Sequence, residues 1–270
     1  MLPVIYIGDY PLATYYVMVF LALLAVFVPG IHWNYRYGPK LAIGPGIIFW
    51  AGVPGFLLGR ILYFALFVCP GDWKNLLDFG YGGTMFLGVL LGCLGGVMAY
   101  CRVRELPVLR TLDVFVPWVP LGGICGRVGC LLYGCCYGRP AMVPWAIRFP
   151  ADSPAWAEHV QSGWCSVTAE VSLPVHPSQV YAILAWLVIF AGLVILRRRN
   201  PPSGAMLAGL VGGYFAKRFL LDFFRADYPP LVGPLDLMQT LALGVVPVCA
   251  AILWFALRHH AASETSASQE

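Results

Sequence analysis

"GRVGCLLYGCCYGRP", residues 126–140, sets two arginines, four glycines and three cysteines at the end of an apolar run that opens near residue 114. A guanidinium at bilayer depth costs roughly 2.5–3.5 kcal/mol on insertion scales, so there Arg127 needs a partner, a water-filled cavity or a bound anion. The flanking sequence does put it at that depth. Of the 270 residues 60% are hydrophobic and 11% charged, far below the roughly 25% charged fraction of soluble domains.

Apolar stretches recur at about 15–28, 42–67, 82–100, 114–132, 176–196, 204–224 and 237–257. Each approaches the length that spans a bilayer as a helix. The expected fold is all-α, a polytopic membrane protein with seven transmembrane helices. Basic residues cluster after alternate stretches: Arg36 and Lys40, then Arg102, Arg104 and Arg110, then Arg197, Arg198 and Arg199, then Arg258. By the positive-inside rule the N-terminus is expected outside, the C-terminus cytoplasmic, and the segment 133–175 on the outer side. No basic segment precedes the first apolar run, so no cleavable signal peptide is expected. Residues 1–258 read as a single integral membrane domain and 259–270 as a short disordered cytoplasmic tail. The net charge of +4 comes mostly from the cytoplasmic arginines and does not point to nucleic acid.

This orientation gives each intramembrane polar residue a depth. Arg60, Arg127, Arg218 and Arg225 fall toward the outer ends of the second, fourth and sixth helices. Tyr15, Tyr16, the stretch 80–88, His176 and Gln179 fall at the outer starts of the first, third and fifth. Tyr214, Arg218, Asp222 and Arg225 are spaced by four, four and three, which places them on one helical face. Asp222 can offset only one charge, and Asp113, at the cytoplasmic start of the fourth helix, reads as a helix N-terminal anchor. An arginine cluster in surplus suits an anion, and in a membrane a phospholipid headgroup, through bidentate charge-assisted hydrogen bonds. Gly126, Gly129, Gly134 and Gly138 allow either close approach of a ligand to the backbone or close packing of helices. Among nine cysteines, Cys69 and Cys165 fall in outer loops. Cys125, Cys130, Cys135 and Cys136 match neither a zinc spacing nor a C-x-x-C pair and read as packing residues.

The chain resembles the bacterial phosphatidylglycerol:prolipoprotein diacylglyceryl transferases along nearly its whole length. That family's signature usually reads Gly-Arg-x-Gly-Asn-Phe-x-Asn-x-Glu-x-x-Gly-Arg. Gly126, Arg127, Gly129, Gly138 and Arg139 fit it, while Cys130, Tyr133 and Cys135 stand where Asn, Asn and Glu are usual. "HPSQVY" (176–181) is similar to the family's His-Pro-Ser/Thr-Gln-x-Tyr, and "YFAKRFLLDFFR" (214–225) to its sixth-helix motif. Tyr15, Gly59, Arg60, Tyr63 and Asp113 also have counterparts. At 82–88 the family normally reads Gly-Gly-Met-Ser-Phe-His-Gly with an essential histidine, and this chain has Leu87 there.

The resemblance implies transfer of the sn-1,2-diacylglyceryl group from phosphatidylglycerol to the lipobox cysteine of preprolipoproteins. This is the first step of bacterial lipoprotein modification, at the inner membrane. It implies two partners, phosphatidylglycerol and a signal peptide with a lipobox cysteine, and neither metal nor soluble cofactor. Arg127 and Arg218 would hold the lipid phosphate, with Arg60 and Arg225 at the outer rim. Tyr15, Tyr214 and Gln179 would hydrogen-bond the glycerol or the ester, and His176 or a tyrosinate such as Tyr137 would take the thiol proton. Tyr63, Gly126, Gly129, Gly138, Arg139 and Asp222 complete the expected substrate site. The alternative is a divergent paralogue that binds or uses phosphatidylglycerol with another acceptor or none.

Overall fold

The computed structural model describes residues 4–7, 10–67, 73, 76, 85–225 and 233–267, with the side chains of 4–13, 15, 16, 67, 86, 87 and 259–267 left outside that description. Tyr15, Tyr16 and Leu87 are therefore placed by their backbones alone, and Cys69 and most of the stretch 80–88 lie outside the described residues. Among the described residues the regular structure is helical apart from isolated bridges and an antiparallel pair of strands, β1 (Val4–Ile7) and β2 (Tyr10–Ala13), matched from Val4↔Ala13 to Ile7↔Tyr10. The long elements are α1 (Thr14–Arg36), α2 (Ile47–Phe67) and α3 (Phe86–Val103). Next come α4 (Val108–Phe115), a 3-10 turn (Val116–Trp118) and α5 (Val119–Tyr133), which together form the expected fourth helix. The short α6 (Pro154–Gln161) precedes α7 (Ser178–Arg197), α8 (Ala205–Asp222) and α9 (Leu237–Ala267).

Among the described residues, five segments are long and apolar enough to cross a membrane: Val17–Arg36, Ile47–Leu66, Val108–Tyr133, Ser178–Arg197 and Leu237–Arg258. Of the other two expected spans, α3 is an 18-residue helix whose described part, Gly88–Val103, is apolar, and α8 carries Lys217, Arg218 and Asp222 within its 18 residues. Large apolar side chains such as Phe49, Val188, Leu243 and Phe255 face outward, more than half exposed, as a lipid-facing surface requires. The backbone of α9 is helical to Ala267. Alanines at 261 and 262 propagate a helix already nucleated by the apolar run before them.

Helix α1 packs on α5, α5 on α7, α7 on α8 and α8 on α9, while α2 pairs mainly with α3. The α2–α3 pair meets backbone to backbone: a Cβ on Gly96 would overlap the Trp50 carbonyl oxygen, and one on Gly92 that of Pro54. The 3-10 turn has its own fastening. Pro117 has no N–H for the Asp113 carbonyl, and Arg197 supplies the donor, its Nη2 giving hydrogen bonds of 3.0 Å to Asp113 O and to Val114 O. Its guanidinium also stacks 4.0 Å over the Trp33 ring. Asp113 anchors a helix start, as expected, but that of α8: its Oδ2 accepts from Gly204 N at 2.7 Å.

Segment 134–175 is more than a loop. Tyr137, Phe149, Ala155 and Val175 form a small buried core closed by bridges Pro140↔Val175, Ile147↔Val175 and Pro150↔Val171. This layer sits where the chain leaves α5 and enters α7, so its geometry sets the mouth of the site.

Candidate anion site between α5, α7 and α8

The end of α5, the start of α7 and the last turns of α8 surround a small cavity. Four expected residues line it together, Arg127, Arg218, Asp222 and Arg225, joined by Ser178, Ala182, Lys217 and Leu221. Lys217, Arg218, Asp222 and Arg225 are only 5–8% exposed, so their charges are largely cut off from water and need compensation. Arg218 Nε lies 3.0 Å from Asp222 Oδ2, one helical turn along α8. Three guanidiniums and the Lys217 amine line the cavity against one carboxylate, a formal surplus of three basic groups among the lining residues. Arg127, half-buried, makes no hydrogen bond or ion pair among the described residues. The enclosed volume is ≈ 10 Å³, about enough for one water.

The frame around this cavity is built from residues that the sequence motifs single out. Gly138 and Arg139 run as an extended segment between His176 on one side and Phe224 and Arg225 on the other. Gly138 N donates to His176 O at 3.0 Å, Arg139 N to Phe224 O at 2.8 Å, and Arg139 Nε to Arg225 O at 2.7 Å. Only glycine fits at 138, where a Cβ would lie 2.7 Å from both His176 Cβ and Phe224 O. Gln179 Nε2 donates to Cys135 O at 2.8 Å and Ser178 Oγ to Cys136 O at 2.6 Å, so the start of α7 holds the turn after α5. His176 Nδ1 is 3.1 Å from the Tyr181 hydroxyl, which accepts from Trp145 Nε1 at 2.6 Å. With the tyrosine proton turned to Nδ1, the imidazole hydrogen sits on Nε2.

Other expected residues lie elsewhere. Arg60, fully buried on α2, donates from Nε to Leu76 O at 2.8 Å, has its guanidinium 4.8 Å from the Phe64 ring centroid, and does not line the cavity. Half-buried Tyr63 packs against Phe64. Tyr214 stacks beside Trp186 with ring centroids 6.0 Å apart, and the two rings hold Lys217 Nζ at 4.9 and 4.1 Å. Lys217, three residues after Tyr214 on α8, lines the cavity although it is not among the expected site residues. Gly129 is buried in α5, whereas a Cβ on Gly126 would meet nothing within 4 Å, leaving open space beside Arg127. Tyr137 is buried. Its hydroxyl bonds to Glu158 Oε2 and its ring packs on Phe149 and His159. It is a core residue of the outer layer, not an interfacial anchor or a base open to substrate.

The family model for prolipoprotein diacylglyceryl transferase matches residues 3–255. The chain belongs to the prolipoprotein diacylglyceryl transferase family. It is similar to the phosphatidylglycerol–prolipoprotein diacylglyceryl transferase of Polaromonas naphthalenivorans, 31% identical over 268 residues and 90% of each chain. The protein of the same name from Nitratidesulfovibrio vulgaris is 33% identical over 223 residues, 80% of this chain and 76% of that one. That of Nitrosomonas europaea is 32% identical over 226 residues, 80% and 74% of the two chains.

Set against the transferase signature, the departures at Cys130 and Cys135 fall in one place. The Sγ atoms of Cys130, Cys135 and Cys136 all lie within 4.8 Å of one another. Expected only to pack, these thiols converge because Gly134, left-handed at φ 84°, ends α5 and turns the chain back. Linear spacing does not reveal that turn. Hydrogen bonding with Cys130, then with Cys136, pushes the Cys135 thiol up, and burial adds to this. Hydrogen bonds from Cys130 and Cys135 hold the Cys136 thiol down, as do the charges of Arg127 and Arg225, against the opposing effect of burial.

Proposed function

We propose that this chain transfers the sn-1,2-diacylglyceryl group from phosphatidylglycerol to the lipobox cysteine thiol of preprolipoproteins. The observation that carries the reading is the convergence of Arg127, Arg218 and Arg225 in a chain that the transferase family model matches over 3–255. Thioether formation needs a thiolate, because a free thiol with a pKa of about 8.5 is a weak nucleophile, and it needs a stabilised leaving group. Preorganised guanidiniums meet the second need by binding the phosphate charge that develops as the glyceryl C–O bond breaks.

In this reading Arg127 and Arg218 hold the phosphate, Arg225 and Lys217 complete the positive wall, and the headgroup enters on the open Gly126 side. Because the cavity holds little more than a water, binding moves the half-buried Arg127 side chain outward. Gln179 and Ser178 act by holding the 135–136 turn, and His176 Nε2 faces the acceptor. All seven long apolar helices cross the bacterial inner membrane, with the N-terminus outside and the site near the outer face. Residues 1–258 form one membrane domain.

The test is expression in cells depleted of their own transferase, followed by mass analysis of a lipoprotein signal-peptide cysteine. A diacylglyceryl adduct is the expected result. Its absence, with the chain inserted and folded, would overturn the reading.

A further inference from the structure

The three-thiol cluster is built, not incidental. Gly134 N and Cys135 N both donate to Cys130 O, at 2.9 and 3.1 Å, closing a turn that sets residues 135 and 136 over the last turn of α5. Cys136 takes a left-handed backbone with φ 56°, a conformation that a residue with a Cβ adopts only when its surroundings impose it. The hydrogen bonds from Gln179 and Ser178 to the carbonyls of Cys135 and Cys136 impose it here. Three sulfurs round a zinc ion at about 2.3 Å in tetrahedral geometry stand about 3.8 Å apart, and the three here already lie within 4.8 Å of one another. All three thiols are free in the structure.

We infer that Cys130, Cys135 and Cys136 form a three-sulfur site for a thiophilic d10 cation, zinc(II), with its fourth position open beside Arg127. Soft thiolates select such ions, and three protein ligands with an open position is the arrangement of catalytic zinc. Arg127 stands one turn before Cys130 on the same face of α5, and Ser178, which binds Cys136 O, also lines the arginine cavity. The site and the anion cavity thus share a wall.

What the site would do rests on the transfer reading above. A zinc ion held by the three thiolates would lower the pKa of an acceptor thiol at the fourth position, which would give its proton to water. The acceptor sulfur then forms the C–S bond at the glyceryl carbon while the C–O bond to phosphate breaks. The electron pair leaves on the phosphate oxygen, whose charge the arginines receive. No electron is gained or lost by the ion.

The experiment uses the full chain, purified reduced in detergent and titrated with cobalt(II) and then zinc(II). One equivalent of cobalt should bind with sulfur charge-transfer absorption and intense visible bands, and zinc should displace it. Cys130→Ser, Cys135→Ser and Cys136→Ser should each weaken binding by more than the roughly 10–100-fold that outer-shell changes cost, while Cys125→Ser and Cys165→Ser should not. Bound zinc should also shield the three thiols from alkylation, a readout that does not depend on how well a variant folds. No stoichiometric binding, binding indifferent to these substitutions, or a disulfide between two of the three in protein taken from membranes would overturn the inference. Transfer by a chain that binds no metal would also overturn it and leave the transfer reading standing. Metal bound without any transfer would support the site and overturn the transfer reading.

Discussion

Arg218 Nε lies 3.0 Å from Asp222 Oδ2, so the carboxylate of α8 is committed to its own helix and does not serve Arg127 across the cavity. Arg127 is then the guanidinium of the cavity with no hydrogen bond or ion pair among the described residues. Arg127→Ala should therefore abolish transfer while leaving yield and thermal stability unchanged. Arg127→Lys should recover little, because a point charge lacks the planar fork that meets two phosphate oxygens. A vesicle transfer assay alongside a melting curve checks both. Full activity in Arg127→Ala would remove the phosphate role.

Gln179 and Ser178 give a second test. Both donate to carbonyls of the turn that carries Cys135 and Cys136, and each such bond contributes about 1 kcal/mol. If both residues act by holding the turn, Gln179→Ala and Ser178→Ala should lower stability by similar amounts and reduce kcat together, with little change in KM for the lipid. A rise in KM confined to Gln179→Ala would instead mark direct contact with substrate.

The course of the chain was legible wherever apolar runs are long, and the ends of α7, α8 and the α4–α5 helix fall within a few residues of the expected bounds, apart from the earlier start of α4. The meeting of Arg127, Arg218, Asp222 and Arg225 was legible as well, since the four–four–three spacing supplies a face and the expected orientation put Arg127 at the level of that face. Arg60 does not line this cavity; it sits on α2, a helix paired with α3. Hydropathy cannot say which way round a bundle a helix stands. Tyr137, Lys217 and the three thiols were missed for a related reason. Their environments come mainly from the turn at Gly134 and from rings on other elements, such as Trp186 beside Lys217, which spacing within one helix does not encode.

Glycines near the site separate packing from ligand approach. Gly138→Ala would press a methyl against His176 and the Phe224 carbonyl, so the variant should fail to assemble the outer layer and be degraded. Gly126→Ala meets nothing within 4 Å and gains about 1 kcal/mol in helix propensity, so it should fold at least as well as the parent. Reduced transfer in a well-folded Gly126→Ala would mark that open side as the headgroup's approach. Unaltered transfer would assign the space no role.

Acid should loosen the outer layer through His159. Its side chain is fully buried, edge-on to Tyr137, and Nδ1 accepts from Leu173 N at 3.2 Å, so the ring is neutral with its hydrogen on Nε2. Burial pulls its pKa below the ordinary histidine value, with Glu158 opposing the shift. The unfolded layer then binds the proton more readily than the folded one, so stability is complete above the unfolded pKa of about 6.5 and declines as pH falls through it toward the lower folded value. Charging the ring also requires a proton on Nδ1, which removes the acceptor for Leu173. Limited proteolysis within 134–175 should therefore accelerate between about pH 8 and pH 5.5, spanning that titration. His159→Phe keeps a ring but loses the acceptor, so it should be cleaved faster at the higher pH and lose the extra acid response. Equal acid sensitivity in the parent and in His159→Phe would show that another group carries the effect.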